Sequence, residues 1–278
     1  SISLTLDKDY MYNPLVDHDY ESGVDVDRDI CIYGNNHTIY GNGARIMWIY
    51  SSHSAFICDL HFVNSYVYDD LSNDTLIFYS AGGAIYNNGN LNLESCTFTG
   101  NLAGYGGAVY SSNRSSLHVS NCNFTNNLAV HNGGAISNNG TACIGESHDG
   151  ENCIFSGNAA NDDGGAIYSS NDLTLYDSSF KNNYARNGGA IYNVEGSYIN
   201  DCVFENNTAS GYGGATCNAV VEDSVFSHNN AENATYGCDM YMGVSINCKS
   251  ESSTGVIVAE GLTTTSDTLQ YSTTAAGN

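Results

Sequence analysis

The string Gly-Gly-Ala begins at Gly82, Gly106, Gly133, Gly164, Gly188 and Gly213, and a decayed copy, Gly-Cys-Asp, begins at Gly237. Successive copies stand 24, 27, 31, 24, 25 and 24 residues apart. A second landmark, Phe-X-X-Asn, falls between them at Phe98/Asn101, Phe124/Asn127, Phe155/Asn158, Phe180/Asn183, Phe204/Asn207 and Phe226/Asn229. A period of this size, made of short β-type runs and Gly/Asn turns, predicts a solenoid: one coil cannot bury its own apolar side chains, so coils must stack.

Parallel stacking places equivalent residues about 4.8 Å apart in columns, and the columns are visible in the alignment of repeats. The position after each Gly-Gly-Ala runs Ile85, Val109, Ile136, Ile167, Ile191, Thr216 and Met240, an inward column. The next position, Tyr86, Tyr110, Ser137, Tyr168, Tyr192, Cys217 and Tyr241, faces the opposite way by the two-residue alternation of a strand. The six phenylalanines form an internal aromatic stack. The six asparagines form a turn ladder, each side chain bonding its own turn and the asparagine of the next coil. The glycine pairs supply backbone angles closed to other residues and leave room for the phenylalanines. Two places before each phenylalanine stand Cys96, Cys122, Cys153, Ser178, Cys202 and Ser224, with Cys248 continuing the column.

Composition agrees with a strand-built chain. One proline, 30 glycines and 21 tyrosines in 278 residues favour extended segments and tight turns over helices. Residues 24–250 are expected to form the β-helix of about eight or nine coils, after an entry strand at 1–23 and before a β-prone extension at 251–278. Longer turns at 66–80 and 141–152 are expected to be surface loops.

Charge narrows the partners. Only 7 lysines and arginines face 30 acidic residues, and a net charge of −23 repels nucleic acid, anionic lipid and acidic polysaccharide. No apolar run approaches the roughly 20 residues that span a bilayer. The ten cysteines contain no CxxC pair and no zinc spacing, which points to disulfides and to a location outside the cytoplasm. In-register neighbours fall inside the Cα window for a bridge, making Cys31–Cys58 and Cys96–Cys122 candidate pairs; buried thiols are the other reading of that column. Cys143, Cys217 and Cys238 lie off it and are candidates for outward cross-links. Sequons at Asn36, Asn73, Asn113, Asn123, Asn139, Asn206 and Asn233 are candidate glycosylation sites.

At this point the repeat resembles known proteins. GGAI with Phe-X-X-Asn is similar to the polymorphic outer membrane protein repeats of chlamydiae, and the unit with "GNNHTIYGNG" near the start resembles the adhesin-like surface proteins of methanogenic archaea. The resemblance covers about residues 24–250 and implies a right-handed parallel β-helix, the hand that parallel crossovers favour. It implies a surface protein, and fold alone does not assign an activity.

Catalysis finds little support in the residues. Asp162 and Asp163 precede Gly164, Asp172 and Asp177 follow in the same coil, and Arg186 adjoins the next glycine pair, but neighbouring coils carry Tyr105, Asn132 and Asn187 in their place. A lyase or hydrolase would need carboxylates or a base gathered on one face. No cofactor is implied; residues 17–23 (DHDYESG) and 147–152 (SHDGEN) are weak Ca²⁺ candidates. The eight histidines show no ligand spacing. The tyrosine column is either a sugar-stacking row or a ladder of mutually covering rings. The expectation is a non-enzymatic extracellular protein. It is expected to be an envelope building block that self-assembles through its β-helix edges and is stabilised by disulfides, with methanogen sheaths as the analogy; the alternative is an adhesin arm that binds glycans or other cells, ahead of a polysaccharide lyase or hydrolase.

Overall fold

The computed structural model describes residues 2–17, 22–67, 80–145, 152–232 and 237–250, together with the strands Thr263–Thr265 and Thr268–Leu269. Among these residues every element is a β-strand, and the strands pair in parallel to build a β-solenoid of about nine coils. Of the loops expected at 66–80 and 141–152, residues 68–79 and 146–151 lie outside the described residues, whereas Tyr66–Val67 and Thr141–Ile144 are strands paired with the neighbouring coils and not loop. One coil runs through Ile136–Asn138, Thr141–Ile144, Ile154–Ser156 and Ala159–Ala160 before the next Gly-Gly-Ala begins. The last of these belongs to a separate narrow ladder of two-residue strands, which includes Leu102–Ala103, Leu128–Ala129 and Tyr184–Ala185.

The interior is a set of columns in strict register. Ile85, Val109, Ile136, Ile167, Ile191, Thr216 and Met240 pair in sequence and are fully buried. The phenylalanine column begins one coil earlier than Phe-X-X-Asn reveals, at Phe62, and runs to Phe226. Its ring centroids lie 4.6 to 5.1 Å apart, with interplanar angles of 1° to 13°. The coil pitch sets this spacing and holds the ring planes parallel, at centroid distances within the range of offset-stacked pairs.

The glycine pair splits into two jobs. The first glycine is left-handed, with φ of +60° at Gly106 and +70° at Gly133, a region that side chains with a Cβ occupy at a cost. The second has no room for a Cβ: one added at Gly134 would stand 2.0 Å from the carbonyl oxygen of Gly165. The space is taken by the next coil's backbone, and this corrects the expectation that the glycines make room for phenylalanine. The first described coils depart from the rule. Ile46 and Met47 both bond to Ala84, so Arg45 stands where later coils have the second glycine. Its buried guanidinium donates to the carbonyls of Ser22, Ala81 and Gly82 at 2.8 to 3.2 Å and packs 5.0 Å from the Trp48 ring and 5.4 Å from Tyr86.

The asparagine ladder closes its hydrogen bonds completely. In Asn127, Oδ1 accepts from the backbone N–H and the Nδ2 of Asn101, while Nδ2 donates to Asn158 Oδ1 and to the carbonyl of Phe98, all at 2.9 to 3.0 Å. The pattern repeats through Asn158, Asn183 and Asn207 to Asn229. It ends on Asp239, which occupies the alanine place of the decayed Gly-Cys-Asp copy. Asp239 Oδ1 accepts from Asn229 Nδ2 at 2.9 Å, and Oδ2 from Ser250 Oγ at 2.7 Å. A second, shorter ladder alternates amide and hydroxyl: Asn87 donates to Ser111, and Asn138 to Ser169.

Truncating Phe180 to alanine is expected to destabilise the solenoid by about 3–5 kcal/mol, because the rings above and below cannot close the cavity. Asn183→Ala should cost about 1–3 kcal/mol by leaving buried partners unpaired. Denaturation curves followed by circular dichroism measure both, and a loss under about 1 kcal/mol for Phe180→Ala would contradict the buried stack.

Burial raises the Asp239 carboxyl above its ordinary value of 3.8, while the bonds from Ser250 and Asn229 pull it down. The folded chain therefore holds this proton more tightly than the unfolded one, and the site's contribution to stability falls as pH rises through the window just above 3.8. Asp239→Asn keeps an acceptor for Asn229 and removes the desolvated charge. The variant is expected to be at least as stable as the parent at about pH 7 and to lose this part of the pH dependence. A loss above about 1 kcal/mol at that pH would show that charge-assisted bonding to the ladder outweighs desolvation.

Candidate functional site

Charged and aromatic side chains converge at the turn that leads into each glycine pair. Asp163 and Asn187 are bridge partners in this turn column, which also carries Tyr105, Asn132 and Tyr212. The column is tied by its own bonds: the Asp163 N–H donates to Asn132 Oδ1 at 3.1 Å, Asn187 Nδ2 to Asp163 Oδ1 at 2.8 Å, and the Tyr212 N–H to Asn187 Oδ1 at 3.1 Å. One place earlier, Asp162 lies 3.2 Å from His131 Nδ1 and 3.5 Å from Arg186 Nη1. Arg186 also reaches Asp163, at 3.8 Å. The His131 ring stacks on Tyr105 with centroids 4.8 Å apart.

The structure therefore gathers Asp162, Asp163 and Arg186, as a catalytic reading would require, and adds His131, which stands two places before Gly133 just as Asp162 and Arg186 stand before Gly164 and Gly188. Asp172 and Asp177 stay in two other turns, beside the strand Leu173–Tyr176. Burial raises the Asp163 carboxyl, and the Asn187 bond and the Arg186 charge oppose that rise. Both carboxylates share one guanidinium and hold turn contacts, so the cluster is a surface ion-pair group. Exposed pairs of this kind contribute about 0–1 kcal/mol.

The tyrosine column is covered more than alternation alone implies. Tyr86 and Tyr110 are buried and pack with Ala81, Trp48 and Tyr105. Tyr168 and Tyr192 are half-buried and stack at 5.9 Å. At Cys217, where the column lacks a ring, Tyr212 stacks on Tyr241 at 4.7 Å beside it. The outward face here is mutual ring cover, with Asn139 Nδ2 donating to the Tyr110 hydroxyl at 2.8 Å.

The cysteine expectations need correction. None of the ten cysteines is bridged. Cys31 pairs with Phe56 and Cys58 with Tyr33, so the proposed Cys31–Cys58 partners sit two places out of register, ahead of an irregularity between Tyr33 and His37. Cys96 and Cys122 are aligned, but as thiols: the Cys96 N–H donates to Cys122 Sγ at 3.3 Å. Cys217 and Cys238 are only 1% and 2% exposed and so do not face outward; Cys143 is half-buried. Burial pushes the thiols of Cys122 and Cys202 up and raises that of Cys217 to about 12, which disfavours the reactive thiolate.

Serine alternates with cysteine in the core column for a visible reason. Most members donate to the carbonyl two residues back, among them Cys122 to Ser120 at 3.1 Å, Ser178 to Tyr176 at 2.7 Å, Cys202 to Asn200 at 3.2 Å and Ser224 to Glu222 at 2.8 Å, while Cys153 donates to Val119 of the preceding coil at 3.7 Å. A hydroxyl or a thiol meets that need equally, and a disulfide would forfeit it.

Among the sequons, Asn36, Asn113, Asn123 and Asn206 are exposed. Asn139 has both ends of its amide engaged, by Tyr110 and by the Ser170 hydroxyl at 2.6 Å. Asn73 and Asn233 lie outside the described residues, as do most of the two Ca²⁺ candidate segments. Among the described residues no group of three or more His, Cys, Asp or Glu side chains is placed to hold a metal, and no helix is long and apolar enough to cross a membrane.

Five stretches, residues 95–112, 121–139, 152–170, 177–194 and 201–219, match the Chlamydia polymorphic membrane protein repeat. Each runs from the cysteine or serine column through the phenylalanine and asparagine columns to the Gly-Gly-Ala strand. No curated protein and no solved structure matches the chain.

Cys122→Ser is expected to change stability by less than about 1 kcal/mol, since Ser178 and Ser224 already make the same bond elsewhere in the column. Thiol titration of the denatured, unreduced chain should count all ten cysteines. A lower count would reveal bridges.

Proposed function

We propose that a chain built on repeats of this membrane-protein type is a non-enzymatic arm displayed at a cell surface, which makes contact through its outward side chains. One contrast supports the reading above all. The inward phenylalanine and asparagine columns are almost invariant from coil to coil, whereas an outward column in the same register runs Cys31, Phe56, Asn92, His118, Cys143, Thr174, Tyr198 and Val220. Stacking constrains the first set and leaves the second free to carry recognition. The net charge of −23 favours neutral or basic partners. The exposed sequons Asn36, Asn113, Asn123 and Asn206 are the proposed glycan acceptors on this surface. A cross-linked homopolymer, the envelope building block, loses the outward thiols of Cys217 and Cys238.

Beads coated with the chain should adhere to cells saturably, be displaced by soluble chain, and lose adhesion when the chain is denatured. Neutral and acidic polysaccharides, with and without Ca²⁺, should yield neither new reducing ends nor unsaturated products. Turnover abolished by Asp163→Asn or Arg186→Ala would make the charged cluster catalytic, and a polymer loosened only by reductant would restore the building block.

A further inference from the structure

One concavity on the outer wall is not explained by stacking. A groove of about 440 Å³ crosses four successive coils on the face of the strands Ile30–Tyr40, Ser54–Val63, Asn90–Glu94 and Ser116–Ser120. Its floor is the in-register row Cys31, Phe56, Asn92 and His118, all half-buried. Two places earlier on the same face, the exposed row Ser54, Asn90 and Ser116 forms a rim. The rim is partly fixed: Asp29 accepts from the Ser54 N–H at 2.9 Å, and Asn90 Nδ2 donates to Ser54 Oγ at 3.4 Å. Tyr33 props the Phe56 ring, with centroids 6.3 Å apart and planes at 60°.

We propose that this groove is a binding subsite for a neutral saccharide. The inference rests on the surface-arm reading and names a ligand class for it. Amides and hydroxyls both donate and accept, which matches the hydroxyls of a sugar, and an aromatic ring offers an apolar surface to the C–H face of a pyranose. The volume lies within the range of about 300–1,000 Å³ typical of small-ligand sites. No lysine or arginine lines the groove and Asp29 stands at its edge, so sialylated, sulfated or uronate-rich glycans meet repulsion with no counter-charge. An extended peptide is disfavoured for a different reason. The strands Ser54–Val63 and Asn90–Glu94 are paired on both sides, which leaves no free backbone edge for a peptide strand to join.

The test passes the whole chain over immobilised mannan, galactan and cello-oligosaccharide, with sialyllactose and heparin as acidic probes. Retention on at least one neutral probe is expected, displaced by the matching soluble sugar and weakened about tenfold by Phe56→Ala, the scale of one lost aromatic contact. Asn92→Leu, at an outward position, should weaken it as well and serves if Phe56→Ala fails to fold. Retention on the acidic probes alone, retention on no probe, or neutral retention unchanged in the folded variants would overturn the proposal. Bead adhesion to cells separates the two readings. Adhesion that survives Phe56→Ala keeps the surface arm and removes the groove. Neutral-sugar binding by a chain whose beads never adhere keeps the groove and removes the arm.

Discussion

Everything in this molecule is subordinate to one spacing, the roughly 4.8 Å between parallel strands. Once coils repeat at that pitch, any residue facing inward has its counterpart from the neighbouring coils directly above and below. A buried side chain is therefore tolerated only if it bonds or packs with that counterpart. Phenylalanine does so by stacking, alanine by being small, and asparagine by carrying a donor and an acceptor on one planar group. The amide column is the most demanding case, since one unmatched member would leave buried polar atoms on both neighbours.

That constraint explains how much of the fold was legible in the sequence. Inward positions repeat, so the Gly-Gly-Ala, phenylalanine, asparagine and cysteine/serine columns could be aligned by eye, and the register follows them. Phe62 escaped because Ser65, rather than asparagine, stands three places after it: its backbone N–H still donates to Asn101, as the N–H of Asn101 does to Asn127, but the side-chain amide is missing. Arg45 escaped because a guanidinium in a glycine position is an exception that only tertiary surroundings make tolerable: three carbonyls and two aromatic faces receive it.

Outward features were harder to read because nothing in stacking repeats them. The cysteines show this well. Cys217 lies in an outward column by alternation, yet Tyr212 and its neighbours close over it, a consequence of side-chain size that spacing does not encode. Cys31 and Cys58 are 27 residues apart and looked like one coil's separation, but the pairing of Cys31 with Phe56 shifts them past each other. The charged cluster was half visible, since Asp162, Asp163 and Arg186 sit beside the glycine landmarks, while the groove around Phe56 and Asn92 has no repeated signature at all.

The asparagine ladder also has a sense of direction. Every Nδ2 gives one hydrogen to the side-chain oxygen of the following coil and the other to a phenylalanine carbonyl of the preceding one, so the amide-to-amide bonds all run the same way and the amide dipoles add along the axis as peptide dipoles do in a helix. Asp239 receives the positive end, as an acidic residue does at a helix N-terminus, with the difference that here the dipoles belong to side chains contributed by separate coils. A row polarised in this way can grow by duplicating an interior unit, because each new asparagine finds the same neighbours as the old one. Its two ends cannot be exchanged. The length of such a rod is open to evolutionary change at little energetic cost, whereas its terminating residue is tied to one end of the row.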